Sequence, residues 1–215
     1  GIAVKAQVFA FNGSKIGDEI LVNKATEGDQ SDQLITALPN GNFVIAWNAY
    51  SDYSYNPDSP APVVKAQVFD TNGTKIGDEI DISAVGAYVD RDSYITAITS
   101  LPSNDFLITW YEYGGRYGNP LAQTKAQMFS SNGSKVGDEF PVSIATPNSG
   151  TKVTVNSAVS VLPGGDFVVS WTDGNPVSGG ATATGDSSGS AIKMQIFKVN
   201  GVPNTPPTGS VNIND

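Results

Sequence analysis

Short runs of alternating apolar and polar residues cover most of the chain, and turn-forming residues separate them. Both alternating sets are apolar in Phe43-Val-Ile-Ala-Trp47, whereas only one is apolar in Val4-Lys-Ala-Gln-Val8. Alternation with period two is typical of β-strands, and Asn-Gly pairs such as Asn12-Gly13 are a strong signal for hairpin turns. The pattern predicts an all-β chain without helices of useful length, in which the Phe-to-Trp strand is covered on both faces.

Two phrases recur along the chain at long intervals. The first is Lys-Ala-Gln-(Val/Met)-Phe followed by an Asn-Gly turn, and its lysines are Lys5, Lys65, Lys125 and, in a degraded copy, Lys193. The second runs from Leu-Pro through a turn to an apolar strand, which ends at Trp47, Trp110 and Trp171. Because the first three lysines are 60 residues apart, the phrases indicate an array of one repeated supersecondary unit.

Each repeat contains two hairpins and therefore four strands, which predicts tandem four-stranded antiparallel sheets arranged as propeller-like blades. The predicted strands number 13, too few for an ordinary closed propeller, so a three-sheet β-prism-like or two-lobed arrangement stays open. We assign residues 1–201 to this repeat domain, with units at about 1–23, 31–85, 94–145 and 154–201. A proline-rich linker (202–209) and the start of a following module (210–215) are expected after it.

The recurrent residues favour structural roles. Trp47 and its two counterparts each end an apolar strand, so we expect them in the core, although a tryptophan can also be a platform for sugars. Lys5, Gln7 and their repeats would either line a common groove or supply a lysine stem and an amide partner to the strand ladder. The second interpretation is favoured.

Composition excludes several classes of function. The chain has no cysteine and no histidine, which removes disulfides, thiolate zinc sites and the commonest general base. With 21 acidic and 12 basic side chains its net charge is −9, which disfavours nucleic acid and anionic membranes as partners. No stretch of the sequence predicts insertion into a membrane, and the acidity suits an extracellular protein that offers carboxylates to Ca²⁺.

The combined motif resembles tandem repeats of very large secreted bacterial proteins of the RTX and cadherin-like adhesin type. The resemblance rests on Leu-Pro-x-Gly-x-Phe-Val-(Val/Ile)-x-Trp followed by Lys-Ala-Gln-x-Phe-x-x-Asn-Gly, and it covers roughly residues 3–200. It implies a secreted or cell-surface location, attachment to a surface or polysaccharide, and Ca²⁺ in the parent protein. The Gly-Gly-x-Gly-x-Asp calcium repeat of RTX proteins is not present, and the resemblance supplies no catalytic residues.

The connections between the Trp strand and the Lys-Ala-Gln strand differ most between repeats and should emerge at one end of the sheets. They hold the predicted ligand-binding residues Tyr50, Asp52, Tyr53, Tyr55, Tyr111, Tyr113, Arg116, Tyr117 and Asp173. Tyrosine rings stack on sugar faces while acids and arginine bond hydroxyl groups, so we expect a polysaccharide or cell-surface glycan as partner. A protein interface, including a homo-oligomer, and simple loop packing are the alternatives.

Three pairs of acidic residues are candidate Ca²⁺ ligands, namely Asp29 with Asp32, Asp90 with Asp92, and Asp52 with Asp58. The sequence thus predicts a non-catalytic ligand-binding module of an adhesin-like protein, with a structural spacer or self-association domain as the alternative. We do not expect an enzyme. If the chain were one, Glu112 and Asp173 would be the acids to test, because glycoside hydrolases work with carboxylates alone.

Overall fold

A computed structural model describes residues 1–25, 28–50, 61–83, 92–114, 121–143, 153–174, 190–199 and 211–212. The strands within these ranges are β1 (Lys5–Phe9), β2 (Lys15–Leu21), β3 (Gln30–Ala37), β4 (Phe43–Ala49), β5 (Val63–Phe69), β6 (Lys75–Asp81), β7 (Asp92–Ser100), β8 (Phe106–Gly114), β9 (Leu121–Phe129), β10 (Lys135–Pro141), β11 (Val153–Val161), β12 (Phe167–Gly174), β13 (Ser190–Phe197) and β14 (Val211–Asn212). No helix that is long and apolar enough to cross a membrane occurs in these ranges.

The strands form four antiparallel sheets in chain order. Sheet 1 pairs β1 with β2, sheet 2 has the order β3-β4-β5-β6, sheet 3 the order β7-β8-β9-β10, and sheet 4 the order β11-β12-β13-β14. Each four-stranded sheet is thus a meander in which neighbours in sequence are neighbours in space. The predicted fold class, all-β with tandem four-stranded antiparallel sheets as propeller-like blades, is confirmed.

The fourth strand of sheet 4 is the short segment Val211–Asn212, which pairs with β13 through Lys193 and Met194. It takes the place that β6 and β10 have in sheets 2 and 3. The linker assigned to residues 202–209 lies outside the described residues. The assignment of residues 210–215 to a following module stays a prediction.

The sheets stack face to face on apolar layers. Sheet 2 meets sheet 1 through Trp47 and Phe69, sheet 3 meets sheet 2 through Trp110 and Phe106, and sheet 4 meets sheet 3 through Trp171. These residues are almost completely buried. The recurrent tryptophans therefore belong to the core, as the strand pattern predicts. Alternate residues of β4 point into two different layers, which explains why both of its sides are apolar.

Repeated lysine and glutamine side chains join β1 to β2, β5 to β6 and β9 to β10. In sheet 2 the Nε2 atom of Gln67 donates to the carbonyl oxygens of Ile76 and Gly77, at 3.1 and 3.3 Å, where β6 shifts register against β5. Gly77 has a φ of 68°, a conformation that favours glycine. Lys65 pairs with both Glu79 and Asp81. The structural interpretation of this ladder is therefore correct.

The first strands of the three large sheets lie side by side. β7 lies against both β3 and β11, and the register of each of the three strands shifts once, at Ser31/Leu34, Ile95/Ala97 and Val155/Ala158. Extra residues at such bulges twist a strand and redirect its side chains, and they are frequent near active sites. The beginnings of these inner strands are therefore the place to look for a site.

Candidate functional site

One end of every large sheet collects the start of its first strand, the end of its second and the start of its third. In sheet 2 the register pairs Gln30 with Ala49 and Ala49 with Val63. Sheets 3 and 4 have the same arrangement. We call this edge the site end of the sheets. The connections between second and third strands leave from it in all three, as the sequence predicts.

Asp32 links the site ends of sheets 2 and 3. It lies in the bulge of β3 with a φ of 55°, and its Oδ2 atom accepts hydrogen bonds of 3.0 Å from the Ser31 hydroxyl and the Asn48 amide. The oxygen of the same Asn48 amide accepts the backbone N–H of Ile95 in β7 at 2.8 Å. The exposed carboxylate is therefore held in place by a buried asparagine that joins two sheets.

Asp29 anchors the N-terminal residues to the same region. Its Oδ1 atom accepts the backbone N–H of Ile2 at 2.6 Å, and its carbonyl oxygen accepts the N–H of Tyr50 at 2.9 Å. The carbonyl oxygen of Ile2 in turn accepts the N–H of Gln30 at 2.9 Å. The Asp29 side chain thus has a structural partner, which explains its position at the start of β3.

Two tyrosines meet across the junction between sheets 2 and 3. The ring centroids of Tyr50 and Tyr94 lie 6.5 Å apart with an interplanar angle of 52°. The Tyr94 hydroxyl donates to Asp92 Oδ2 at a long 3.4 Å, and all three side chains are half-buried. Tilted aromatic rings beside a carboxylate supply a stacking surface together with an acceptor for hydroxyl groups.

These residues form one group, which we call the tyrosine–acid cluster: Asp29, Asp32, Asn48, Tyr50, Asp92 and Tyr94. Four of them are predicted site residues, Tyr50 as a ligand contact and the three aspartates as metal ligands. The sequence analysis missed Asn48 and Tyr94. Tyr94 could have been found by its spacing, since it follows Asp92 by two residues and so shares its side of the inner strand.

Several predicted site residues lie outside the described residues: Asp52, Tyr53, Tyr55, Asp58, Asp90, Arg116 and Tyr117. Tyr113 belongs to β8 and Asp173 to β12, so both are strand residues rather than loop residues. The ligand-binding assignments at all of these positions stay predictions.

Tyr111 and Glu112 also lie within β8, because this strand continues four residues beyond Trp110. Both are buried, and Glu112 is only 4% exposed. Its Oε1 atom accepts the indole N–H of Trp110 at 3.1 Å, and its Oε2 atom lies 3.1 Å from the Lys125 Nζ and accepts a weak bond from Gln123 at 3.4 Å. Glu112 is therefore a structural carboxylate with its acceptors in use, not an acid in a loop.

Electrostatics support this interpretation of Glu112. Burial by itself would raise its pKa, but the hydrogen bond from Trp110 and the charge of Lys125 outweigh it, so its pKa lies below the ordinary value. Burial would lower the pKa of Lys125, yet its bonds to Glu139 and Glu112 raise it above the ordinary value. Both groups therefore stay charged near neutral pH, and Glu112 is a poor proton donor.

The described acids do not form a convergent metal site. Among the residues that the structure describes, no three or more acidic side chains form a group that could hold a metal ion. Asp29 and Asp32 instead accept hydrogen bonds from within the chain. The predicted Ca²⁺ ligands stay untested predictions, and Asp90 lies outside the described ranges.

The junction between sheets 3 and 4 has a different chemistry. The hydroxyl groups of Thr96, Thr109 and Ser157 form a triangle with oxygen separations of 2.6, 2.9 and 2.9 Å. Ser157 follows Asn156, which has a φ of 57° and occupies the bulge of β11 as Asp32 does in β3. These three hydroxyl groups bond one another, so the bulge of β11 is satisfied by neutral groups, unlike the bulge of β3 with its carboxylate.

Comparison with known proteins gives a fold likeness. No family model and no curated protein matches the chain. Solved structures do, among them an endo-arabinase from Bacteroides thetaiotaomicron (TM-score 0.51, 11% identity) and an α-L-arabinanase from Penicillium chrysogenum, solved with arabinobiose (TM-score 0.57, 12% identity). They cover 94% and 93% of this chain, which spans 69% and 54% of theirs. At this identity the likeness establishes a shared propeller-like fold.

The likeness contradicts two predictions. The expectation of a non-catalytic ligand-binding module or a structural spacer, and the expectation that the chain is not an enzyme, are wrong by this comparison. The two solved structures described above are enzymes, and both are named for arabinan. The sequence analysis recognised that carboxylate chemistry needs neither histidine nor cysteine, but the recurrent motifs pointed to a binding repeat and gave no sign of an arabinanase-like fold.

Proposed function

We propose that the chain is a carbohydrate-active enzyme of the glycoside hydrolase class, with its site in the tyrosine–acid cluster. The observation that carries the proposal is the placement of two acids and two tyrosines at the starts of neighbouring inner strands. Tyr94 contacts Tyr50 and Asp92, and Asn48 joins Asp32 to the strand of Tyr94, in a fold shared with two arabinanases. Carboxylates and aromatic rings are what such enzymes need, and neither histidine nor cysteine is required.

Asp32 and Asp92 are the proposed catalytic pair. Hydrolysis of a glycosidic bond needs one carboxyl group to protonate the leaving oxygen and a second to act as nucleophile or to activate water. Asp32 is exposed, and Ser31 and Asn48 hold its Oδ2 atom, so its position is fixed while it faces solvent. Asp92 is half-buried and bonded by Tyr94, which gives the two acids different surroundings.

Tyr50 and Tyr94 are the proposed sugar-binding surface. Their ring centroids lie 6.5 Å apart across the junction of sheets 2 and 3, and the Tyr94 hydroxyl reaches Asp92. Stacking of these rings on a sugar would orient the bond to be cleaved. Arabinan is the substrate class to test first, because the two solved structures described above are named for it. Tyr53 and Arg116, predicted as ligand contacts from the sequence, lie outside the described residues, and their part in binding stays a prediction.

The direct test is incubation of the purified chain with arabinan and with arabino-oligosaccharides, followed by chromatography of the products. Cleavage should occur, and Asp32→Asn and Asp92→Asn should each lower kcat/KM by about 10² to 10⁴-fold, the usual contribution of a general acid or base. Asp78→Asn is the matched control, because Asp78 is an exposed aspartate of the outer strand β6. No cleavage of arabinan by a folded chain would overturn the proposed substrate.

Two further proposals accompany this function. The repeat resemblance supports a secreted or cell-surface location, and polymeric plant or surface glycans are substrates that are met outside the cell.

Ca²⁺ is proposed as a bound ion near Asp29 and Asp32. Calorimetric titration of the chain with Ca²⁺, compared with the same titration of Asp32→Asn, tests this proposal. Loss of a binding isotherm in the variant supports that site, whereas equal isotherms exclude it.

A further inference from the structure

Sheet 1 has only the third and fourth strands of the repeat. The antiparallel pairs Lys5–Leu21 and Ala6–Ile20 in sheet 1 match Lys65–Asp81 and Ala66–Ile80 in sheet 2. In sheet 2 the other edge of β5 pairs with β4 over its whole length. Within the described part of the chain, β1 pairs with β2 alone.

The edge of β1 that faces away from β2 presents backbone N–H and C=O groups that no described strand pairs with. Val4 uses its N–H and C=O toward the β2 side, where Asn23 and Val22 bond them. Because these groups alternate along an antiparallel strand, Lys5, Gln7 and Phe9 direct theirs to the opposite edge. The same positions of β5 face Trp47, Ile45 and Phe43 of β4.

Phe9 makes this edge favour a partner strand with an aromatic residue opposite it. Its counterparts in the other sheets each stack on a phenylalanine of the second strand, with centroids 5.0 to 5.4 Å apart, in the pairs Phe43–Phe69, Phe106–Phe129 and Phe167–Phe197. Phe69, Phe129 and Phe197 are 0%, 0% and 1% exposed, whereas Phe9 is 57% exposed. An exposed aromatic ring in an otherwise buried repeat position indicates a surface that is built to be covered.

We propose that the open edge of β1 is the docking site for a β-hairpin of the repeat's own type. Its second strand would carry the Phe-apolar-apolar-x-Trp phrase, pair with Lys5 to Phe9, and stack its phenylalanine on Phe9. The other sheets support this occupant, because in sheets 2, 3 and 4 the second strand of such a hairpin pairs with the strand equivalent to β1. A second copy of this chain is a poorer occupant, since its own hairpins already pair within sheets 2 to 4.

The experiment grafts this hairpin from the chain itself. Position 121 of sheet 3 corresponds to Gly1, since Lys125 corresponds to Lys5, so residues 92–120 are fused ahead of Gly1. A second graft uses residues 30–60, which precede the equivalent position in sheet 2. The control is the first graft with Phe106→Asp in the grafted copy only, which removes the stacking partner of Phe9 while the original Phe106 stays.

The readout is amide hydrogen exchange of Lys5, Gln7 and Phe9, followed by NMR, with Gln67 as the internal reference. Both grafts should slow exchange at these sites by about 100-fold, toward the rate of Gln67, because strand pairing protects amides. The control graft should leave them fast. Light scattering should give a monomer for each graft.

Three results would overturn the proposal. The first is fast exchange at Gln7 in both grafts, or failure of both grafts to fold. The second is equal protection in the control graft, which would remove the role of Phe9. The third is protection of Gln7 in the ungrafted chain as a concentration-dependent dimer, which would make a second copy the occupant. Activity on arabinan does not enter this test, so its outcome is independent of the proposed function.

Discussion

The Oε2 atom of Glu112 lies 3.1 Å from the Nζ atom of Lys125, and both side chains are largely withdrawn from solvent. Lys125 also contacts Glu139 at 2.6 Å, so one ammonium group joins β8, β9 and β10. The indole of Trp110 holds the other oxygen of Glu112. An ion pair of this kind is costly to form but more costly to break, because one charge would stay buried without its partner.

Replacing Glu112 with glutamine should destabilise sheet 3. The neutral amide keeps a hydrogen bond to Trp110 but leaves Lys125 with Glu139 alone, so we expect a loss of about 1 to 3 kcal/mol in the free energy of unfolding. Urea denaturation measures it. Glu19→Gln in the exposed Lys5–Glu19 pair is the matched control and should leave the unfolding midpoint unchanged. Equal midpoints for both variants would contradict the structural role of Glu112.

Stability should depend on pH through this ion pair. The pKa of Glu112 is lowered on folding, so its contribution is complete above about pH 5 and is lost as the pH falls through the folded pKa, below the unfolded value of about 4.3. The pKa of Lys125 is raised, so its contribution is present below about pH 10 and is lost as the pH rises through the folded pKa.

The measurement is the difference in unfolding free energy between the parent chain and Glu112→Gln, taken from pH 3 to pH 8. This difference should be constant above about pH 5 and shrink toward pH 3. Using the difference removes the other carboxylates, which titrate alike in both proteins. A difference that grows as the pH falls would contradict the sign of the Glu112 shift.

The buried glutamines should matter more than the exposed one. Gln67 and Gln7 make the same three bonds to carbonyl oxygens in sheets 2 and 1, but Gln67 is buried and Gln7 is partly open to water. Gln67→Ala should cost about 1 to 3 kcal/mol because buried carbonyl groups are left unpaired, and Gln7→Ala should cost less because water replaces the amide. Denaturant midpoints of the two variants measure these losses of stability. Equal losses in Gln67→Ala and Gln7→Ala would be evidence against burial as the cause.

Much of the fold could be predicted from residue patterns alone. Alternation and Asn-Gly turns predict strands and hairpins because both signals lie within short stretches of the chain. The recurring Lys-Ala-Gln phrase predicts the repeat because each copy occupies the same position in its sheet. The stacking order of the sheets is less accessible. It depends on which side of each apolar strand meets which neighbour, and both sides of a strand such as β4 are apolar.

The site was harder to predict than the fold. Tyr111 and Glu112 look like loop residues because they follow a terminal Trp, but β8 continues past Trp110 and buries both. Asn48 looks unremarkable in the sequence, yet its amide joins Asp32 to the backbone of Ile95 in the next sheet. Contacts between sheets connect residues that are 47 positions apart, and no local pattern reports them.

The two cluster tyrosines should affect substrate binding more than bond cleavage. Tyr94→Ala removes a ring from the proposed sugar-binding surface, so KM for arabinan should rise about tenfold with a smaller change in kcat, as expected for lost stacking of about 1 kcal/mol. Tyr94→Phe keeps the ring and serves as the control, with KM near the parent value. If both variants changed KM equally, the hydroxyl bond to Asp92 rather than stacking would carry the effect.

The stacking of successive sheets predicts unequal effects of one substitution at two equivalent glycines. Gly133 has a φ of 88°, and a Cβ atom there would lie 2.6 Å from Cδ1 of Ile80 in sheet 2; Gly13 has a φ of 81° with open space around it. Gly13→Ala should cost about 1 to 2 kcal/mol for the left-handed backbone, whereas Gly133→Ala should cost a further 1 to 3 kcal/mol, roughly, from overpacking against Ile80. Adding Ile80→Val to Gly133→Ala should recover part of that second loss, because the methyl group in conflict is removed. Equal losses of stability in Gly13→Ala and Gly133→Ala, measured by chemical denaturation, would show that the turn of sheet 3 does not pack closely against Ile80 of sheet 2.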